Sequence, residues 1–154
     1  MGLGLPAAVG LALAKKMKKE PGTVYVLMSD GEMQIGTTWE AAAVASHHRL
    51  TNLVVIVDNN GLQAMGKTAN ILDFKARKVF DAFEWKTFEV NGHNYTDIGN
   101  LLSWDGEYKD LWPPLAIIAN TTKGKGVSFM ENNNIWHYKA PSEEEYEEAL
   151  AQLS

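Results

Sequence analysis

Short, continuously apolar runs alternate along this chain with longer segments whose apolar residues recur at helical spacing. Pro6–Lys19 is rich in Ala, Leu and Val. It gathers four lysines at its end, where the helix macrodipole favours cations, and it reads as a helix stopped by Pro21-Gly22. Thr23–Ser29 (TVYVLMS) is β-branched and apolar between turn residues and predicts a buried strand. Thr38–Arg49 predicts a second helix, with Thr37 or Thr38 as N-cap and Glu40 in the first turn. Leu53–Val57 (LVVIV) is apolar at every position, the pattern of a parallel-sheet strand covered on both faces. Gly61–Lys67 reads as a loop and Phe74–Phe83 as a short amphipathic helix. Trp85–Val90 reads as a strand, and Tyr95–Leu102 as a helix after the Asn91-Gly92 turn. Trp112-Pro113-Pro114 leads into a fourth strand, Leu115–Thr121, followed by a Lys123–Gly126 loop. In the closing PSEEEYEEALAQLS, Ser142 and Glu145 have capping-box spacing, with acidic residues at the positive end of a last helix. No internal repeat or linker interrupts this order. It predicts one domain over residues 1–154: an open α/β fold with a mostly parallel sheet, helices on both faces and right-handed crossovers.

Composition narrows the function classes. A chain of 154 residues with 45% hydrophobic content can bury a real core, and its 5 Trp, 5 Tyr and 5 Phe argue against disorder. The net charge of −5 disfavours nucleic acid as the main partner. No apolar run approaches the roughly 20 residues that span a bilayer, so no membrane role is expected. The apolar stretch Gly2–Ala14 is followed, not preceded, by its basic cluster, the wrong order for a signal peptide. With no cysteine there are no disulfides, thiolate metal sites or thiol nucleophiles, and a cytoplasmic protein is the expectation.

Two strand ends carry the candidate chemistry. Ligands of open parallel sheets sit beyond the carboxyl ends of the strands. Asp30 follows one predicted strand and Asn60 the next; neighbouring strands would bring both to one edge. A hard anionic oxygen beside a neutral amide oxygen makes a partial shell for Mg²⁺, which takes its remaining ligands from phosphates and water. Gly31 lets a diphosphate approach the backbone, ahead of a helix N-terminus that favours anions. Asp-Gly and Asn-Asn-Gly are also ordinary turn sequences, so residue chemistry leaves both readings open.

The surrounding words go further. An Asp-Gly followed about thirty residues later by Asn resembles the thiamine diphosphate-binding motif. DGEMQIGTTWEA, LTNLVVIVDNNGLQ, VNGHN and TTKGKGVSFMENNNIWH, in that order, resemble transketolase over nearly the whole chain, specifically the N-terminal subunit of split transketolases. The resemblance implies thiamine diphosphate and Mg²⁺ as cofactors, with Asp30 and Asn60 as side-chain metal ligands and Leu62 adding its backbone carbonyl. It implies cofactor contacts at Asp30, Gly31, Glu32, Asn60, Leu62 and His137. Catalytic roles fall to His137, near diphosphate and substrate, and to Glu40, at a contact between cofactor-binding subunits. The implied reaction moves a two-carbon ketol unit from a ketose phosphate to an aldose phosphate. It needs a pyrimidine-binding partner subunit, in a homodimer or α₂β₂ assembly.

Four departures qualify that expectation. Ser29 stands where Gly is usual, Ile35 where the family carries a glutamate, and Tyr138 where Gly is common; MGLGLPAAVGLALA resembles a segment that normally follows a long upstream stretch. A non-catalytic remnant or assembly module is therefore the alternative. His47-His48 and His93 are expected to be structural, Lys123 and Lys125 solvated, and the tryptophans mostly core, with Trp39 and Trp136 near the site or a subunit contact.

Overall fold

The computed structural model describes residues 1–103 and 113–154. In chain order its elements are α1 (Gly4–Lys18), β1 (Val24–Ser29), a 3-10 turn (Asp30–Gln34), α2 (Gly36–His47), β2 (Leu53–Asn59) and the short strands β3 (Leu62–Gln63) and β4 (Gly66–Lys67). There follow α3 (Thr68–Ile71), α4 (Ala76–Ala82), β5 (Lys86–Asn91), α5 (Tyr95–Leu102), β6 (Leu115–Asn120), a second 3-10 turn (Asn134–His137) and α6 (Glu143–Leu153). The main sheet has the spatial order β1-β2-β6-β5 with every pairing parallel. Ser29 lies opposite Asp58, Asn59 opposite Asn120, and Asn120 opposite Asn91, so all four strands finish at one edge.

Burial explains which side chains drive this arrangement. Met28, Leu53, Val55, Val57, Ala116 and Ile118 of the sheet share one core with Leu5, Ala8, Val9 and Ala12 of α1, Ala41, Ala42 and Ala45 of α2, and Ala76 and Phe80 of α4. Each large apolar side chain buried this way contributes about 1.5–3 kcal/mol. The alanines let α1 and α2 lie close to the sheet, while bulk is concentrated at Phe80, in ring contact with Trp39 and Trp85. Trp85 Nε1 donates to the Ala42 carbonyl at 3.0 Å, so this buried indole is satisfied. The connections from β1 to β2 and from β2 to β5 run one way across the sheet and that from β5 to β6 returns.

Several expectations are corrected. The strand at 24–29 is not buried: it is a sheet edge, with Tyr25 and Leu27 52% and 72% exposed while Val24, Val26 and Met28 face the core. Helix α2 runs two residues earlier than expected, and neither Thr37 nor Thr38 caps it. The Thr37 hydroxyl donates to the Gly2 carbonyl at 2.8 Å and that of Thr38 to the Glu32 carbonyl at 3.2 Å, so tertiary partners took both. The supposed loop at 61–67 contains the β3–β4 hairpin. Helix α1 starts at Gly4, and α4 is shorter than the expected 74–83 helix. Tyr95–Leu102 and the Ser142–Glu145 capping box match the expectation. Trp104 and Trp112 lie outside the described residues.

Candidate functional site

Strand β1 passes straight into the 3-10 turn that carries Asp30 and Gly31. Ser29 Oγ accepts from the Glu32 N–H at 3.2 Å and so caps that turn, at φ −88°. Nothing at this position requires glycine, which accounts for Ser29. The Asp30 carboxylate is buried, 2% exposed, and fully engaged on one side: Oδ2 accepts from the Gly61 N–H at 2.7 Å and from the Thr68 hydroxyl at 3.1 Å. Among the described residues, Oδ1 accepts only from the Gly31 N–H, at 2.7 Å. Burial pushes the Asp30 carboxyl above the ordinary aspartate range. The bonds from Gly61, Thr68 and Gly31 pull against that rise, and the nearby Asp58 charge adds to it.

The partner strand delivers the second half. After Asn59 the chain turns at Asn60-Gly61, with Gly61 at φ +74°, a conformation that favours glycine. Asn60 Oδ1 accepts from the Leu62 N–H at 2.9 Å, and Asn60 Nδ2 donates to Asp58 Oδ2 at 3.0 Å, which orients the amide. Asp58 Oδ1 in turn accepts from the Thr121 hydroxyl at the end of β6. The Thr68 N–H bonds the Gly61 carbonyl at 2.9 Å, so the hairpin closes on itself where Asp30 grips it. The second 3-10 turn docks on the hairpin through Asn134 Nδ2 and the Ala64 carbonyl, 2.9 Å apart, bringing His137 to this end of the sheet with an exposed ring.

These residues fit a hard divalent cation. Among the described residues no three His, Cys, Asp or Glu side chains converge, so a cation here would lean on neutral oxygens as well as Asp30. Asp30 Oδ1 and Asn60 Oδ1 each hold one donor in the hydrogen bonds above and keep acceptor capacity. Gln63 Oε1 is buried without a partner, 3.1 Å from where a Cβ on Gly31 would lie. One carboxylate among amide and carbonyl oxygens is the donor set of Mg²⁺ completed by phosphate and water. The Gly31 N–H donates to Asp30 Oδ1, and a Cβ on Gly31 would crowd Gln63, so the missing side chain keeps the approach to this turn open.

The remaining expected residues make other contacts. Glu32 Oε1 accepts from the Gly2 N–H at 2.9 Å and so braces the first residues of the chain. Glu40 is exposed on α2, lining a cavity of about 440 Å³ between α1 and α2 with Leu3, Pro6, Val9 and Val44. None of the Asp30–Leu62 site residues lines that cavity. Ile35 packs on Gly2, whose added Cβ would lie 2.6 Å from Ile35 Cγ2. Trp39 belongs to the core, stacked on Phe74 and donating Nε1 to the Met33 carbonyl at 2.7 Å. Trp136 packs on Phe129. His93 Nε2 accepts from the Thr122 N–H at 2.8 Å. His47 and His48 pair edge to face at the end of α2, and Lys125 pairs with Glu131 at 3.4 Å. Sequence reasoning missed Asp58, Gln63 and Thr68. Asp58 was legible one residue ahead of Asn59-Asn60; Thr68 had no local signal.

A family model described as transketolase, thiamine diphosphate binding domain, matches residues 1–153. An apulose-4-phosphate transketolase subunit from Phocaeicola vulgatus is 41% identical over 155 residues, covering 100% of this chain and 54% of that protein. A 6-deoxy-6-sulfo-D-fructose transketolase subunit from a Clostridium species is 36% identical over 154 residues, 99% of this chain and 55% of its own. The chain thus spans about half the length of these curated relatives. The crystal structure of transketolase from Campylobacter jejuni superposes with a TM-score of 0.89 at 29% identity, over 99% of this chain and 25% of that one. Sheet and sequence agree: the chain belongs to the transketolase family and corresponds to its thiamine diphosphate binding domain.

Proposed function

We propose that this chain is the diphosphate- and metal-holding subunit of a transketolase. With a pyrimidine-binding partner subunit, it transfers a two-carbon ketol unit from a ketose phosphate to an aldose phosphate in cytoplasmic carbohydrate metabolism. The observation that carries the reading is Asp30: a buried carboxylate with a free acceptor position on Oδ1, clasped to the hairpin that bears Asn60 and Leu62. Its desolvation is costly and wants a cation to offset it. Thiamine diphosphate, when bound, supplies the chemistry that breaks and remakes the carbon–carbon bond.

The chain's own residues bind and orient. Asp30 and Asn60 hold Mg²⁺ through side chains and Leu62 through its carbonyl. Gly31 leaves room for the diphosphate, and His137, exposed beside the hairpin, donates to diphosphate or sugar oxygens. Glu40 acts from the α1–α2 cavity across a subunit contact, in a homodimer or α₂β₂ assembly. The relatives named as transketolase subunits support the need for a partner. A second reading, a cofactor-binding or assembly module without turnover, draws on Ile35, an apolar side chain packed on Gly2 where the family carries a carboxylate. Calorimetry with thiamine diphosphate and Mg²⁺ tests the site: wild type gives binding heat, and Asp30→Ala abolishes it. No heat even with the partner subunit present would sink the proposal.

A further inference from the structure

The buried Thr68 hydroxyl donates to the candidate metal ligand, Asp30, thirty-eight residues away in sequence. Thr68 opens α3, and its bonds form a closed ring. Its N–H reaches the Gly61 carbonyl at 2.9 Å, and its hydroxyl reaches Asp30 Oδ2 at 3.1 Å. The Gly61 N–H reaches that same Oδ2 at 2.7 Å. Gln34 Nε2 steadies the ring from outside, donating to the Thr68 carbonyl at 3.3 Å and the Leu72 carbonyl at 2.9 Å. Gly61 lies between Asn60 and Leu62, so one carboxylate oxygen holds the chain between the other two ligands and, through Thr68, the far end of the hairpin that follows them.

From this we infer that Thr68 is a positioning residue for the metal site, resting on the function proposed above. With the Gly61 and Thr68 donors both on Oδ2, the two in-plane lone pairs of that oxygen are taken, and Oδ1 is committed to the cation. Without the hydroxyl, the carboxylate can rotate, Oδ2 competes for the metal, and the hairpin loses one of its two ties to Asp30. Groups that hydrogen-bond a ligating carboxylate typically affect metal affinity by about 10–100-fold when removed.

The test titrates the full chain, in the presence of thiamine diphosphate, with Mn²⁺ followed by electron paramagnetic resonance. Thr68→Val should weaken Mn²⁺ binding about tenfold or more and broaden the bound-metal spectrum, whereas Thr68→Ser, which keeps the hydroxyl, should stay near wild type. Asp30→Ala distinguishes a wrong site from a wrong role for Thr68. If wild type binds no Mn²⁺ even with the pyrimidine-binding subunit present, or Asp30→Ala binds as wild type does, the site itself is wrong and the positioning role falls with it. If Asp30→Ala abolishes binding but Thr68→Val binds as tightly as wild type, the site stands and Thr68 does not position it. A measurement on wild type covers the case of a poorly folding variant. The Gly61 amide should stay protected from hydrogen exchange when Mg²⁺ is added, because Oδ2 keeps its donors; a Gly61 amide that exchanges faster with metal overturns the inference.

Discussion

Asp30 meets two opposing demands. As an acceptor for three donors it is well placed in the fold, yet it is an anion buried to 2% exposure near a second carboxylate, Asp58. Burial prevails and its carboxyl titrates above the ordinary aspartate range. The folded chain therefore holds this proton more tightly than the unfolded chain does. The resulting stabilisation is complete below the unfolded value and is lost as pH rises through the raised one. Metal binding has the opposite dependence, since the ligand must be ionised. Urea midpoints across that interval should show metal-free wild type losing stability relative to Asp30→Ala as pH rises, with Mg²⁺ and thiamine diphosphate reversing the trend; parallel curves for the two proteins would contradict this. Asp30 and Asn60 were legible because each ends an apolar strand with a turn signal. Thr68 was not, because its role exists only once the hairpin folds back on β1.

Among the elements, strong local chemistry was legible and tertiary substitution was not. Tyr95–Leu102 follows an Asn that caps it, and α6 has its capping box, so propensity and structure agree there. The two threonines before α2 look like caps, but the Gly2 and Glu32 carbonyls capture them. Strands β3 and β4, two residues each, are too short to show any periodicity. The turn after β5 shows how tightly the elements meet at the functional edge. A Cβ on Gly92 would lie 2.4 Å from Thr121 Cγ2 and 3.2 Å from the Asn120 carbonyl oxygen, forcing β5 and β6 apart. Gly92→Ala should cost about 1–3 kcal/mol by overpacking. Gly10→Ala on the exposed side of α1, with no atom within 4 Å of the new methyl, should instead add about 0.5–1 kcal/mol. Chemical denaturation of both variants reads the contrast; equal effects would mean that the close approach at Gly92 is relieved without cost.

At the scale of the whole molecule, a parallel sheet gathers its polar strand ends along one edge, and that edge holds Asp30, Asn60 and the hairpin together. The Glu40 cavity lies apart from it, between α1 and α2. The chain spans about half the length of the curated relatives it matches, and the function proposed above leaves the rest of the reaction to a pyrimidine-binding subunit. The purified chain, given a ketose phosphate, an aldose phosphate, thiamine diphosphate and Mg²⁺, should transfer no ketol unit until the pyrimidine-binding subunit is added. Turnover by the chain alone would refute that dependence. The fold class was legible because the alternation of strands and helices is set by local periodicity. The exposed side of β1 was not, since a sequence shows that a strand is apolar but not whether another layer covers it.

That exposed side has a consequence for the chain's working life. Strand β1 ends the sheet, so one line of its backbone groups has no strand beside it among the described residues, while Leu27 and Tyr25 stand out next to it. Such an edge is a template for further strand pairing, so pairing between copies of the isolated chain would rise with their concentration. Dilution would then protect the isolated chain, and a neighbour seated on this edge would do the same by another route.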